Sequence, residues 1–505
     1  MMWIKFGLAL LPILWLIISL GIIKMPAARA CSIGLGLTII LAIVSFKMTV
    51  VNALTGALEG IIMGIWPIMY VIVAALFAYG VTQVSGGMQT IEGLLGSVTT
   101  DKRILVLIIA WGFGGFLEAI AGFGTAVAIC AGILIGLGIE PIQAAVICLV
   151  ANSTTTAFGA IGLPTMTLAE VTNLNSTWLS FVVTLQLVVL VILVPYMLVI
   201  LTGKGIRAIK GIGLITLMSG LALAIPQIVI ARYVGAELPA LVGSVLSIAV
   251  TVWLTKVKQG KSEARADLPA FSEILKACSP FILVFIFVLL ASSLCPPISN
   301  FLASVTTNLQ VYTGKNPNNL PINWLSSPGT LILVAALIGG KIQGLSWAMM
   351  GRLLGQTIKK VAKTTITVCA IVGLAKVMVY AGMTETLAAV LVSLLGPVYP
   401  LFAPVIGALG TFLTGSATSA NVLFGNLQLS AAQSLGVDKY WIVASNMTGA
   451  TAGMLSPQNI AVATGAINQE GQEGAILKET VKWGGLYLTI TCVFLYLVGF
   501  ATKAL

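Results

Sequence analysis

Apolar runs of the length that crosses a bilayer, about 17–25 residues, recur from one end of the chain to the other. None alternates cleanly enough to predict the strands of a transmembrane barrel. The runs predict spanning helices near 3–23, 31–47, 63–84, 141–172, 177–202, 211–231, 238–255, 279–296, 328–348, 364–381, 438–466 and 483–502. Two further segments, 103–138 and 399–435, are too polar at their midpoints to cross and exit cleanly. They predict re-entrant hairpins, each entering and leaving on one side, since irregular backbone at membrane depth must be sheltered by protein or water. The expected fold class is an all-α polytopic membrane protein with about 12 spanning helices plus two hairpins. Residues 3–23 read as a retained helix. A signal peptide is the alternative, because Ala27, Ala28 and Ala30 resemble a cleavage region.

The polar interruptions repeat. GFLEAIAGFGTAV (115–127) precedes LVANSTTTAFGAIGLPT (149–165), and TFLTGSATSANVL (411–423) precedes VASNMTGATAGMLSPQN (443–459). Phe116 and Phe412 are 296 positions apart, Asn152 and Asn446 294, Pro164 and Pro457 293, and Gly87 and Gly382 295. A near-constant shift marks a duplicated unit. The predicted organisation is an N-terminal helix (1–30), a first repeat (31–205) with hairpin 103–138 and broken helix 141–172, connecting helices and loops (206–327), and a second repeat (328–505) with hairpin 399–435 and broken helix 438–466.

Composition and charge sharpen this picture. The chain of 505 residues is 58% hydrophobic and only 8% charged, against about 25% in soluble domains. A net charge of +11 would suggest nucleic acid in a soluble protein. Here the cations sit in short loops, as the positive-inside rule requires. With the N-terminus outside, the inside loops carry Lys24 and Arg29; Lys102 and Arg103; Lys204, Arg207 and Lys210; Lys256, Lys258, Lys261, Arg265 and Lys276; Arg352, Lys359, Lys360 and Lys363; and Lys478 and Lys482. Outside loops hold isolated cations such as Lys47, Arg232, Lys315 and Lys439. Both termini are therefore expected outside. On this path the first hairpin enters from the cytoplasm and the second from outside, so the repeats are expected to be inverted. The seven cysteines are scattered and none forms a CxxC pair. They read as small hydrophobes, with no disulfide framework or metal site. No histidine is present, which removes the usual metal ligand and proton relay. No cofactor is expected.

The interruptions carry the candidate chemistry. Gly122 and Gly124 allow a tight turn at the first tip, and a helix starting near Thr125 would aim free N–H groups at it. The second tip supplies Ser416, Thr418, Ser419 and Asn421. The broken spans add Asn152, Ser153, Thr154, Thr155 and Thr156, and in the other copy Asn446, Thr448, Thr451, Ser456, Gln458 and Asn459. Such residues also serve as glue between helices, but four symmetric clusters in two repeats point to a binding site. Glu118, just before the first tip, is a candidate proton carrier, with a structural carboxylate as the alternative. Glu59 is a second proton-coupling candidate that an interface position would also explain. Asp101, Lys102 and Arg103 read as interfacial charges at a hairpin entrance. Lys376 either snorkels to a helix end or pairs with a carboxylate.

At these residues the chain resembles the L-lactate permease family. FLEAIAGFGTAVAI, ANSTTTAFGAIGLPT, FLTGSATSAN and SPQNIAVA are similar to its hallmark blocks in order and spacing. The resemblance implies uptake of lactate, often also glycolate or related 2-hydroxymonocarboxylates, in symport with protons across a bacterial inner membrane. The sequence departs in detail: the first tip reads EAIAGFGTA where many members have EGAAGFGTP, and Ala417 stands where many have an acid. That loss places proton coupling more heavily on Glu118. The two-hairpin layout is also distantly similar to the ion-transporter superfamily, which implies an elevator-type movement and a homodimer. The expected site holds a carboxylate on the tips' N–H groups and hydroxyls, with Asn152 and Asn446 reading the 2-hydroxyl. A sodium-coupled carboxylate carrier and an anion channel are the alternatives. An intramembrane enzyme lacks any catalytic constellation to support it.

Overall fold

The structure, a computed structural model, describes residues 2–23, 25–96, 98–122, 125–259, 270–292, 294–314, 319–467, 469 and 472–504. Eleven helices among these residues are long and apolar enough to cross a membrane. Phe271–Ala277 and Ser279–Ala291, bent by 62°, pass the same length and hydropathy criterion only when taken together, which gives up to twelve candidate spans. The chain is thus an all-α polytopic membrane protein in its spanning part.

Two stretches of the chain run through similar elements in the same order. Tyr70–Val84, Lys102–Ala121, Thr125–Gly136, Pro141–Thr172 and Ser176–Thr202 correspond in order to Ala362–Tyr380, Tyr399–Thr414, Ala417–Leu435, the pair Lys439–Ala450 and Pro457–Ala466, and Glu473–Ala501. The short helices Gly87–Gly96 and Met383–Leu395 occupy matching places before the hairpins. The inner elements are enclosed by protein. The apolar window of Lys102–Ala121 is 100% buried, against 28% for Trp3–Leu20. Irregular backbone attached to Lys102–Ala121 is therefore shielded from lipid. Glycines set the closest helix crossings. A Cβ on Gly60 would lie 2.5 Å from the Gly373 Cα, and Cβ atoms on Gly407 and Gly449 would overlap the carbonyls of Asn446 and Pro404. Small residues at such crossings let backbones approach and recover dispersion energy that lipid cannot provide preferentially.

Three stretches add to or differ from the sequence expectation. The span expected near 63–84 extends back through Val50–Met63 into one run of 35 residues. Asn52, Thr55 and Glu59 dilute its hydropathy, but Glu59 is buried and paired, so the polar content carries little cost there. The run kinks at Trp66 (φ −130°, ψ 119°), where Pro67 has no N–H to donate. The expected span 328–348 stops at Ile342; Gly344 turns the chain at φ +95°, and Ser346 caps a separate surface helix, Trp347–Lys360. The polar stretch 297–327 holds a helix, Pro296–Ser304, and an antiparallel hairpin pairing Thr306–Gln310 with Asn319–Asn323. In the connecting segment Phe271–Ala277 is helical.

Candidate functional site

The first tip forms because Gly114–Ala121 ends at Gly122 (φ 59°, ψ −157°), a conformation L side chains avoid. The Gly122 N–H closes the turn on the Glu118 carbonyl at 3.0 Å. Gly124 lies outside the described residues, as does the side chain of Thr125, whose backbone starts the helix Thr125–Gly136. The first helix break follows Pro141–Thr155. A tight turn at Thr156–Phe158 leads into Ala160, Ile161 and Gly162, all at positive φ (44°, 57° and 79°). Two adjacent non-glycine residues in that region are strained and persist only where packing holds them. Ala160 is held against the tip: a Cβ built on Gly122 would meet the Ala160 Cβ at 3.2 Å.

The second tip uses different devices for the same shape. Tyr399–Thr414 ends at Gly415 (φ 67°), and Ser416 Oγ accepts the Ser419 N–H at 3.3 Å to cap Ala417–Leu435. In the second break, Lys439–Ala450 gives way to a turn at Gly453–Leu455 and restarts at Pro457, which needs no N–H partner. Asn459 Nδ2 donates to the Gly453 carbonyl at 2.9 Å. A Cβ on Gly415 would overlap Gln458, so this tip and this break also touch.

All four irregular segments meet around one cavity of about 470 Å³. The first tip contributes Glu118 and Gly122, and the first break Asn152, Ser153 and Thr156. The second tip contributes Ser416, Thr418 and Ser419, and the second break Thr451, Gln458 and Asn459. A larger cavity of about 570 Å³, bordered by Glu140, Lys204, Glu479 and Lys482, touches none of these segments. The polar convergence, not the volume, singles out the smaller one.

Glu118 is 3% exposed and faces Asn152. Gly159 leaves room for it: a Cβ there would lie 2.6 Å from Glu118 Oε1. The Asn152 amide donates to Thr156 Oγ1 at 3.2 Å. Glu118 Oε2 and Asn152 Oδ1 are both buried without a hydrogen-bond partner. Unpaired buried acceptors are costly, and each can be satisfied by a donor from a proton or a ligand hydroxyl.

Other expected residues fall elsewhere. Asn421 and Asn446 do not line the cavity. The Asn446 amide donates to Asn421 Oδ1 at 2.9 Å, and Asn421 Nδ2 donates to the Pro164 carbonyl at 2.9 Å. Their polar groups tie the second hairpin to both breaks. Thr154 and Ser456 are fully buried with unpaired hydroxyls but stand behind the lining. Glu59 is remote from the cavity. Its Oε1 pairs with Lys376 Nζ at 3.0 Å and accepts from the Tyr380 hydroxyl at 2.6 Å, while Oε2 accepts the Tyr312 N–H at 3.3 Å. Of the two readings of Lys376, pairing holds. At the hairpin entrance, Asp101 caps Lys102–Val106 and pairs with Arg103 at 2.7 Å. The hydrogen bond from the Arg103 side chain, first, holds the Asp101 carboxyl below its usual range.

The lining also includes residues that sequence reasoning passed over. Thr411 and Thr414 stand on the incoming arm of the second tip, and Thr411 Oγ1 is buried and unpaired. Lys363, Thr364 and Thr367 line the cavity from Ala362–Tyr380. Their signal was available, because positions 363, 364, 367 and 368 share one helical face.

Comparison with known proteins adds an independent view. A family model described as L-lactate permease matches residues 5–501. An L-lactate permease of Streptococcus iniae is 54% identical over 440 residues, covering 86% of this chain and 93% of that protein. The glycolate permease GlcA of Escherichia coli is 33% identical, covering 95% of this chain and 93% of its own. Among solved structures, the YdaH transporter of Alcanivorax borkumensis aligns at 17% identity with a TM-score of 0.49, covering 88% of each chain.

Proposed function

The chain belongs to the L-lactate permease family, and from that membership we propose that it imports L-lactate and related 2-hydroxymonocarboxylates, glycolate and D-lactate among them, by proton symport with alternating access. It is a membrane permease and not an enzyme. The observation that carries the proposal is the shared cavity, with Glu118 Oε2 and Asn152 Oδ1 buried and unpaired at its edge.

A small 2-hydroxy acid brings the groups this cavity lacks. The first N–H groups of Ala417–Leu435 and Pro457–Ala466, on Ala417, Thr418, Gln458 and Asn459, precede the first intrahelical bonds and suit a carboxylate. The 2-hydroxyl donates to Asn152 Oδ1. Gly122, Ser153, Ser416, Thr418, Ser419 and Gln458 shape and line the site, while Asn421, Asn446, Thr154 and Ser456 support it from behind. An ionised Glu118 and a substrate anion repel each other in so small a space. A proton on Glu118 removes that repulsion, so proton and anion bind together and cross as a neutral pair.

The matching order of elements supports two repeats, 31–205 and 328–505; their inversion rests on the positive-inside count, and elevator movement in a homodimer rests on the distant resemblance to the ion-transporter superfamily. Positive-inside counting puts both termini outside a bacterial inner membrane. It also puts the cavity mouth, at Pro26, Ala27, Ala28 and Lys363, on the cytoplasmic side, which makes this an inward-facing state.

The test is uptake of labelled L-lactate, D-lactate and glycolate into proteoliposomes with pH and sodium gradients imposed separately. One proton per substrate allows about tenfold accumulation per pH unit, the equivalent of about 1.4 kcal/mol. Glu118→Gln should lose that accumulation and keep lactate exchange. Accumulation driven by sodium alone would replace the proton with sodium, and absence of counterflow would turn the reading to a channel.

A further inference from the structure

The cavity has two kinds of wall. One comes from the tips and breaks, and the other from Pro26, Ala27 and Ala28 together with Ala362–Tyr380, which packs on Ala27–Val44 and Val50–Met63. One face of this helix changes character along its length. It presents Lys363, Thr364 and Thr367 where it lines the cavity. One to two turns later it presents Ile371, Leu374 and Ala375, all buried, and Leu374 reaches Gly34 of Ala27–Val44. The polar start sits at the loop end of the helix, where a cation is expected on the cytoplasmic side, and its placement on the cavity lining puts it beside any polar solute that enters there. Lys363 and Glu118 are the charged side chains among the described lining residues. Lys363 is exposed and has no ion-pair partner among the described residues. Arg29, Lys359 and Lys360 in the adjoining segments add charge of the same sign.

We propose that Lys363, with Thr364 and Thr367, forms the cytoplasmic wall of the carboxylate path and sets substrate affinity at that membrane face only. This rests on the carrier reading above. The wall belongs to helices apart from the hairpins and breaks, so a movement that opens the site outward separates it from the substrate. A cation at the mouth of a low-dielectric cleft concentrates anions there, and salt screens the effect over about 8 Å.

The experiment measures initial L-lactate rates in right-side-out and inside-out vesicles containing the full chain. For Lys363→Gln, the ratio of cytoplasmic-face KM to external-face KM should rise about tenfold, the low end for a charged cleft. The salt dependence of the cytoplasmic KM should flatten, and Lys363→Arg should restore both. A ratio that stays at the wild-type value, or a KM that rises equally at both faces, overturns the inference while leaving the carrier intact. Wild-type vesicles with no lactate flux in either orientation overturn the carrier reading, and this inference with it.

Discussion

Gly159→Ala isolates the position of Glu118 from its chemistry. Gly159 has φ −65° and ψ 156°, a backbone that alanine adopts freely, so the perturbation is steric alone. The added Cβ would sit 2.6 Å from Glu118 Oε1 and 3.3 Å from its Cδ, where ordinary contact begins near 3.4 Å. The carboxylate must retreat by about 0.8 Å, the difference between those separations. Its Cα is on a fully buried helix, so little else can give. Because the group that moves is the end of a flexible side chain, the cost in stability is small, whereas a displacement near 1 Å at a reacting group costs about 100-fold in rate. Proton-driven L-lactate uptake in proteoliposomes, normalised to inserted protein, should therefore fall about 100-fold. Gly465→Ala, where the added Cβ meets nothing within 4 Å, is the matched control and should transport normally. Adding Glu118→Gln to Gly159→Ala should cost nothing further in proton-driven uptake, because both act through one group. Wild-type uptake by a folded Gly159→Ala protein would refute the reasoning, for it would mean the carboxylate's location does not matter.

Two further outcomes follow from the charge pairs. Lys376→Met strands the buried Glu59 carboxylate and should destabilise the detergent-solubilised protein by about 3–5 kcal/mol. The double variant with Glu59→Gln should recover much of that in a thermal melt, and simple additivity would rule out the pair. Asp101 has a depressed folded-state pKa, so its contribution is present above the ordinary carboxylate value of 3.8 and fades as pH falls below it. Asp101→Asn should melt lower than wild type at neutral pH, and the two melting curves should converge under about pH 4; a gap that persists there contradicts the assignment.

Much of the fold was legible along the chain because a bilayer enforces it. Lipid cannot satisfy a freed peptide group, so glycine, proline and hydroxyl clusters inside apolar runs such as 115–125 and 411–421 had to mark sheltered breaks. The recurrence of similar words at a near-constant shift then marked the breaks in pairs. The start of the span at Val50 was missed because Glu59 lowers local hydropathy, and its neutralising partner Lys376 lies 317 positions away. The hairpin at 306–323 escaped notice because its short polar strands carry no apolar alternation.

The sequence by itself determined a membrane-spanning helical chain, the recurrence of its polar words, the four interruptions and Glu118 as the carboxylate beside one of them. These are local properties, set by hydropathy, backbone freedom and the missing N–H of proline. Only the tertiary structure decided which polar residues face the cavity. Asn152 and Asn446 occupy equivalent places in the repeat, yet Asn152 keeps an unpaired oxygen beside the cavity while Asn446 is consumed by Asn421. Lys363, one cation among several in its loop, lies on the lining face. The reason is geometric: a side chain's partners are fixed by which helices cross near it, and that depends on contacts made hundreds of residues away.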